Sequence, residues 1–181
     1  MKLALSGTHS SGKTSLIHAL SGLNLFKHYE KFTENTRKIK NEYKVKINDD
    51  SELISQFIFL GERCKELMHG NILCDRSIYD VCSYTLSSNS ISWYDKRKFV
   101  ENCIPILKEY DLIIYVSPEG VEIEDNGLRS IDNKYRDKID YTIKEMLEEY
   151  PPKNLLKISG STEQRISQIN EYLSSHNLIN E

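Results

Sequence analysis

Lys2-Leu3-Ala4-Leu5-Ser6-Gly7-Thr8-His9-Ser10-Ser11-Gly12-Lys13-Thr14-Ser15-Leu16-Ile17-His18-Ala19-Leu20 is the stretch that decides the fold. Its middle, Gly7 to Thr14, is a complete G-x-x-x-x-G-K-[ST] phosphate loop. Before it, Lys2 to Ser6 is short and mostly apolar, as a buried parallel strand is. After it, Leu16, Ile17 and Leu20 recur at helical spacing. Strand, loop and helix in that order are the context the motif requires. Glycines let backbone N–H groups turn toward anionic oxygens with no Cβ in the way, and the helix N-terminus adds partial positive charge. Gly7, Thr8, His9, Ser10, Ser11, Gly12, Lys13, Thr14 and Ser15 are therefore candidates for binding a nucleoside triphosphate. Lys13 would reach the β- and γ-phosphates, and the Thr14 hydroxyl would hold Mg²⁺.

Outward from that stretch, strands and helices alternate. His28–Thr33 is a thin second strand, and Asn71–Asp75 a buried third ending in a carboxylate. Asp111–Val116 is the clearest central strand and Leu155–Ile158 the last. Helices are expected over about 51–69 (capped by Asp50 or Ser51 and stopped by Gly70), 78–86, 94–109, 134–149 and 162–173. Pro151-Pro152 ends the fourth of these. The region from Thr36 to Asp50 is the least legible. Alternation of this kind argues for βαβ crossovers and one parallel sheet covered on both faces. The fold class is α/β, a three-layer nucleoside-triphosphate-binding fold with a five-stranded parallel sheet, over a single domain of residues 1–181. Ligands in such folds sit at the carboxyl ends of the strands. The polar candidates gather there: the loop after the first strand, Glu34 after the second, Asp75 and Arg76 after the third. A polar segment from Ser117 follows the fourth, and Ser159-Gly160-Ser161-Thr162 follows the fifth.

Composition narrows the partners. A net charge of −3 gives no global reason to expect nucleic acid or an anionic membrane. No run approaches the length of a membrane span, and the phosphate loop arrives before any leader-like segment, so a cytoplasmic protein is expected. Cys64, Cys74, Cys82 and Cys103 show no paired spacing and read as reduced, mostly buried thiols rather than metal ligands. A regulatory GTPase would carry N-K-x-D, but Asn133-Lys134-Tyr135-Arg136 ends in the wrong residue and does not follow a strand. A motor or AAA-type ATPase would pair two acids at a strand end, whereas Asp75 is followed by Arg76. A small-molecule kinase fits better, because it needs positive charge near both substrates and a cover that excludes water.

Three further stretches carry a resemblance. They are Thr33-Glu34-Asn35-Thr36-Arg37, Asp75-Arg76-Ser77-Ile78-Tyr79-Asp80, and Asp125-Asn126-Gly127-Leu128-Arg129-Ser130 with Arg136 after it. In order and spacing with the phosphate loop, they resemble the P-loop nucleoside and nucleotide kinase group. That group includes the ribosylnicotinamide kinase domain of the bifunctional NAD-biosynthesis regulator and phage and bacterial kinase-like proteins that go under the AAA ATPase name. The resemblance implies ATP as phosphate donor, Mg²⁺, and a lid over about 117–136. Lys13, Glu34, Asp75, Arg76, Arg129 and Arg136 become the catalytic candidates, with Thr14 and Asp75 at the metal.

Each role has a plainer alternative. Asp75 lies beside Mg²⁺ or caps a helix; Arg76 binds phosphate or forms a surface ion pair. Glu34 takes the acceptor hydroxyl proton or is a solvated helix-starting acid. Arg37 contacts substrate or pairs with Glu34. Arg129 and Arg136 close over the transferring group or belong to a charged loop. Asp80 fixes Arg76, and Tyr84, Trp93 and Tyr94 stack on a base or fill space. The expected reaction is transfer of the ATP γ-phosphoryl group to a nucleoside- or nucleotide-like small molecule, by a monomer or homodimer. A kinase of a DNA- or RNA-borne hydroxyl, or a regulatory ATPase with no small acceptor, are the alternatives.

Overall fold

Alternating apolar side chains decide which way each strand faces, and the two helical layers follow from that. The computed structural model describes residues 1–33, 35–123 and 132–178. Its sheet is built from β1 (Lys2–Ser6), β2 (Glu30–Phe32), β3 (Ile72–Asp75), β4 (Leu112–Val116) and β5 (Leu155–Ile158). The order is β2-β3-β1-β4-β5, and every pairing is parallel. The helices are α1 (Lys13–Ser21), α2 (Thr36–Tyr43), α3 (Leu53–Leu67), α4 (Ile78–Ser87), α5 (Trp93–Leu107), α6 (Asn133–Glu149) and α7 (Thr162–Ser175).

Leu3, Leu5, Leu73, Leu112, Ile114 and Val116 face one side, where Leu16, Ile17 and Leu20 of α1 and Ile169 and Leu173 of α7 cover them. Ala4, Ile72, Cys74, Ile113 and Tyr115 face the other, under residues of α3, α4, α5 and α6. With both faces covered, period-two alternation becomes a continuous apolar run, which is why Leu112 to Val116 was so legible. The expected α/β class, five parallel strands and three layers are what the structure has. Among the described residues no helix is long and apolar enough to cross a membrane. All four cysteines are free thiols, Cys74, Cys82 and Cys103 buried and Cys64 partly so.

Register then places the site. Leu5 of β1 pairs with both Asp75 of β3 and Ile114 of β4, so these three strands end level. The phosphate loop, Asp75-Arg76 and the segment after Val116 therefore emerge side by side, at the switch point where β1 lies between β3 and β4.

Two details differ from the sequence reading. The third helix is not capped by Asp50 or Ser51. Asn48–Asp50 forms a 3-10 turn, Ser51 is buried with its carbonyl taken by Ser88 Oγ at 2.6 Å, and α3 starts at Leu53 with no side-chain cap. The illegible stretch after Thr36 contains α2, whose buried contribution to the core is Ile39. One apolar anchor gives too weak a periodicity to read.

Candidate functional site

The phosphate loop is shaped by contacts that reach it from three other elements. Gly7 donates its N–H to Asp80 Oδ1 of α4 at 3.1 Å. A Cβ on Gly7 would lie 2.7 Å from the Val116 carbonyl oxygen, so only glycine lets the loop pass this close to β4. Gly12 adopts φ +84°, and a Cβ there would meet Arg165 Nη1 at 2.8 Å. Arg165, buried in α7, donates to the Ser11 carbonyl at 2.6 Å and to the Ser117 carbonyl at 3.1 Å. It thus ties the loop to the end of β4, and burial lowers its pKa. The Thr8 hydroxyl donates to the Arg136 carbonyl at 3.2 Å. Within the loop, the buried Lys13 ammonium donates to Thr8 O at 2.6 Å and Ser11 Oγ at 3.1 Å.

At the start of α1, Thr14 Oγ1 donates to Asp75 Oδ2 at 2.6 Å. Asp75 is fully buried, and its other oxygen, Oδ1, has no hydrogen-bond partner among the described residues. A buried carboxylate oxygen left unpaired is costly unless something polar meets it. Among the described residues no group of three or more His, Cys, Asp or Glu side chains forms a metal cage. One hydroxyl and one carboxylate suit Mg²⁺, which keeps waters and phosphate oxygens as its other ligands. Of the two sequence readings of Asp75, the helix cap is excluded. Ser77 is the N-cap of α4, and Asp80 completes a capping box by accepting from Ser77 N and Ser77 Oγ, each at 2.9 Å.

Arg76 sits between them with φ +98°, a conformation that side-chain-bearing residues rarely adopt. Such a backbone costs on the order of 1–3 kcal/mol and persists only where neighbours enforce it. Here the Arg76 N–H is held by the Leu5 carbonyl at 3.0 Å, and Arg63 Nη1 holds the Asp75 carbonyl at 3.1 Å. The turn aims Arg76 along α4, with Nη1 3.6 Å from Asp80 Oδ1 and the guanidinium carbon 5.3 Å from the centre of the Tyr84 ring.

These side chains help line a cavity of about 270 Å³. Thr14, Arg76, Asp80 and Tyr84 line it together with Arg37, Gln56 and Phe59. Arg63 also lines it. It is buried and ion-paired to Glu66 Oε1 at 2.7 Å. Burial pushes the Glu66 carboxyl up to about 7, against the opposing pull of Arg63.

The structure thus brings Lys13, Thr14, Asp75 and Arg76 into one site. Arg136 is nearby, its Nη1 and Nη2 donating to the Val121 and Pro118 carbonyls at 2.8 and 3.0 Å, so its side chain clamps the segment after β4. Glu34, Asp125 and Arg129 lie outside the described residues. Tyr84 reaches the cavity, whereas Trp93 and Tyr94 are exposed away from the core. Sequence reasoning missed Arg63 and Arg165. Arg63 and Glu66 are spaced three apart on a helix, which reads as an ordinary surface pair. Arg165 belongs to no motif, and nothing in the sequence signals it.

The family described as an AAA domain matches residues 2–165. No curated protein matches the chain. Among solved structures, a deoxyadenosine kinase from M. mycoides with the products dCMP and dCDP bound is 19% identical. Its TM-score is 0.66, with 99% of this chain and 100% of that one covered. A thymidylate kinase from Candida albicans is 18% identical with TM-score 0.67, covering 99% of this chain and 95% of that one. A thymidylate kinase from Ehrlichia chaffeensis is 14% identical with TM-score 0.63, covering 97% and 98%. At these identities the likeness establishes a shared fold, along essentially the whole chain.

Proposed function

The chain belongs to the AAA domain family, and on that premise we propose that it transfers the γ-phosphoryl group of ATP to a nucleoside- or nucleotide-type small molecule bound in the cavity beside the phosphate loop. The observation that carries this reading is the sharing of Thr14. The same residue pairs with Asp75 at the foot of the phosphate loop and lines the cavity. Donor and acceptor spaces are therefore contiguous, as in-line transfer requires. The deoxyadenosine and thymidylate kinases of the same fold support a nucleotide-type acceptor. The cavity, about 270 Å³, is near the lower end of small-molecule pockets and suits a single nucleoside better than a strand.

In this reading the loop N–H groups and Lys13 hold the triphosphate. Thr14 and Asp75 would hold Mg²⁺, which supplies charge neutralisation between the phosphates. Arg76, fixed by Asp80, offers its planar fork to an oxygen of the acceptor or of the transferred group. Glu34 is the proposed acceptor-side base, and Arg129 and Arg136 belong to the proposed lid over about 117–136. Arg136 would act by holding that segment through the Pro118 and Val121 carbonyls. The protein acts as a monomer or homodimer in the cytoplasm.

The test is a screen with labelled ATP against free nucleosides, nucleoside monophosphates and oligonucleotides. The expected outcome is ADP release that depends on a free nucleoside or nucleotide. ADP release that ignores acceptors, or responds to oligonucleotides alone, overturns the reading.

A further inference from the structure

We propose that Arg63 is a positioning residue for phosphoryl transfer: from α3 it fixes the peptide between Asp75 and Arg76, and with it both the carboxylate at the phosphate loop and the guanidinium in the cavity. This rests on the kinase reading above and deepens it, by naming the residue through which the two halves of the site are set together.

One peptide unit joins both side chains. On its Asp75 side, Oδ2 accepts from Thr14 Oγ1 at 2.6 Å. On its Arg76 side, the guanidinium lines the cavity with Asp80 and Tyr84 as neighbours. The unit is pinned at both ends. Its N–H donates to the Leu5 carbonyl of β1 at 3.0 Å, and its carbonyl accepts from Arg63 Nη1 at 3.1 Å. A peptide is planar, so holding both ends fixes the orientation of the plane. Rotation of that plane is the movement that would take Arg76 away from its φ of +98° and relieve the strain there.

Arg63 is placed to resist that rotation. Its other arm, Nη2, pairs with Glu66 Oε1 one turn along α3 at 2.7 Å, so both arms of the planar fork are engaged at once. Arg63 is 5% exposed and Glu66 6%, and of the two it is Arg63 that lines the cavity. Stability is a weak reason for such a pair, because desolvating two buried charges offsets much of their attraction. Two apolar side chains of similar volume would fill the space without that cost. They could not hold the Asp75 carbonyl. Gln56 and Phe59 line the same cavity from the same helix, so the arginine ties the helix beneath the acceptor to the strand end that meets the phosphate loop.

The experiment compares wild type with Arg63→Met, Arg63→Lys and the double variant Arg63→Met/Glu66→Leu. Arg63→Met leaves the Glu66 carboxyl buried without its partner, so loss of fold could account for its loss of activity. The double variant removes both charges together and is expected to melt within a few degrees of wild type. Each protein is assayed with labelled ATP against free nucleosides and their 5′-monophosphates. The magnesium dependence of binding a fluorescent ATP analogue is measured separately, with no acceptor present. In the double variant kcat is expected to fall by about 10- to 100-fold for every acceptor used, with acceptor KM within about threefold of wild type. The magnesium concentration for half-maximal analogue binding is expected to rise by about tenfold, because the carboxylate that meets Thr14 is no longer held. Arg63→Lys keeps one donor for the carbonyl and is expected to recover part of kcat. A double variant that folds and turns over like wild type overturns the inference. So does a rise in acceptor KM with kcat unchanged, which would make Arg63 a direct contact to the acceptor. Activity lost only in proportion to lost folded protein, with magnesium dependence unmoved, overturns it as well. A wild-type protein that phosphorylates none of the panel fails at the kinase reading itself and takes this inference with it. An active wild type with an indifferent double variant leaves that reading standing and sinks only the inference.

Discussion

The phosphate loop and the cavity beside it, the proposed donor and acceptor halves of the site, are built from different materials. Around the triphosphate loop, many of the structural contacts end on backbone: Gly7 N to Asp80, Ser11 O to Arg165, Thr8 O to Lys13, the Arg136 carbonyl to Thr8. The acceptor cavity instead presents side chains, contributed by α2, the 3-10 turn at Asn48–Asp50, α3 and α4. Backbone groups bind phosphate by a geometry that hardly varies, so a donor site can be encoded in eight consecutive residues. An acceptor is chosen by shape and polarity, which only dispersed side chains supply. The difference predicts that donor-side substitutions will damage transfer to every acceptor alike, while acceptor-side ones will discriminate.

Lys13→Ala is the strongest way to break that contrast. Its charge-assisted contacts to the transferring group are expected to be worth about 10³-fold or more in kcat, equally for all acceptors, with the fold intact by circular dichroism. A variant that retains normal turnover, or loses it for one acceptor alone, contradicts the division. Asp75→Asn ranks next. Removing the carboxylate partner of Thr14 is expected to raise the Mg²⁺ concentration needed for half-maximal rate by about tenfold or more, since the ion would then lose a charged ligand contact. A magnesium titration superimposing on wild type would remove Asp75 from the metal.

Arg165→Met sharpens the contrast further, because this residue does not line the cavity and meets the phosphate loop through a backbone carbonyl. Its two charge-assisted hydrogen bonds hold the loop against β4, and loss of that brace is expected to raise the KM for ATP by about tenfold while leaving acceptor KM unmoved. Equal effects on both constants would mean that the two halves are not separately supported.

The same division explains what could be read from the sequence. The octet, the apolar run of Leu112 to Val116 and the Asp75-Arg76 pair are contiguous signals, and the fold and donor side follow from them. The acceptor side has no such signature. Gln56, Phe59 and Arg63 lie along one helix whose Leu53, Leu60, Cys64 and Leu67 pack against the core, so their pattern reads as amphipathic packing. Arg76 gave no hint of its φ of +98°, because positive φ is foreseeable from sequence chiefly at glycine, asparagine and aspartate. The tie between Ser11 and Arg165 spans 154 residues and depends on β4 lying beside β1, which only the folded topology supplies.

The smallest expected effect tests the acceptor side's buried charge. Glu66 pairs with Arg63 at 2.7 Å, and Arg63 in turn holds the carbonyl of Asp75 and lines the cavity. Burial costs the Glu66 carboxylate more than Arg63 returns, so its pKa rises from 4.5 to about 7. Below about pH 4.5 the carboxyl is protonated in both folded and unfolded chains, and its contribution to stability is fully present. Between 4.5 and about 7 the unfolded chain releases the proton and the folded chain keeps it, so that contribution is lost as pH rises, and it is gone above the folded pKa. Glu66→Gln keeps the shape and a hydrogen-bonding oxygen for Arg63 but cannot titrate. Melting curves at pH 5, 6 and 7.5 are therefore expected to show the wild type losing ground to the variant, by on the order of a few degrees. Parallel curves would mean that the Arg63 charge already holds Glu66 ionised at pH 5. In that case the cavity wall keeps a full ion pair throughout, and the acceptor side is as rigidly charged as the donor side.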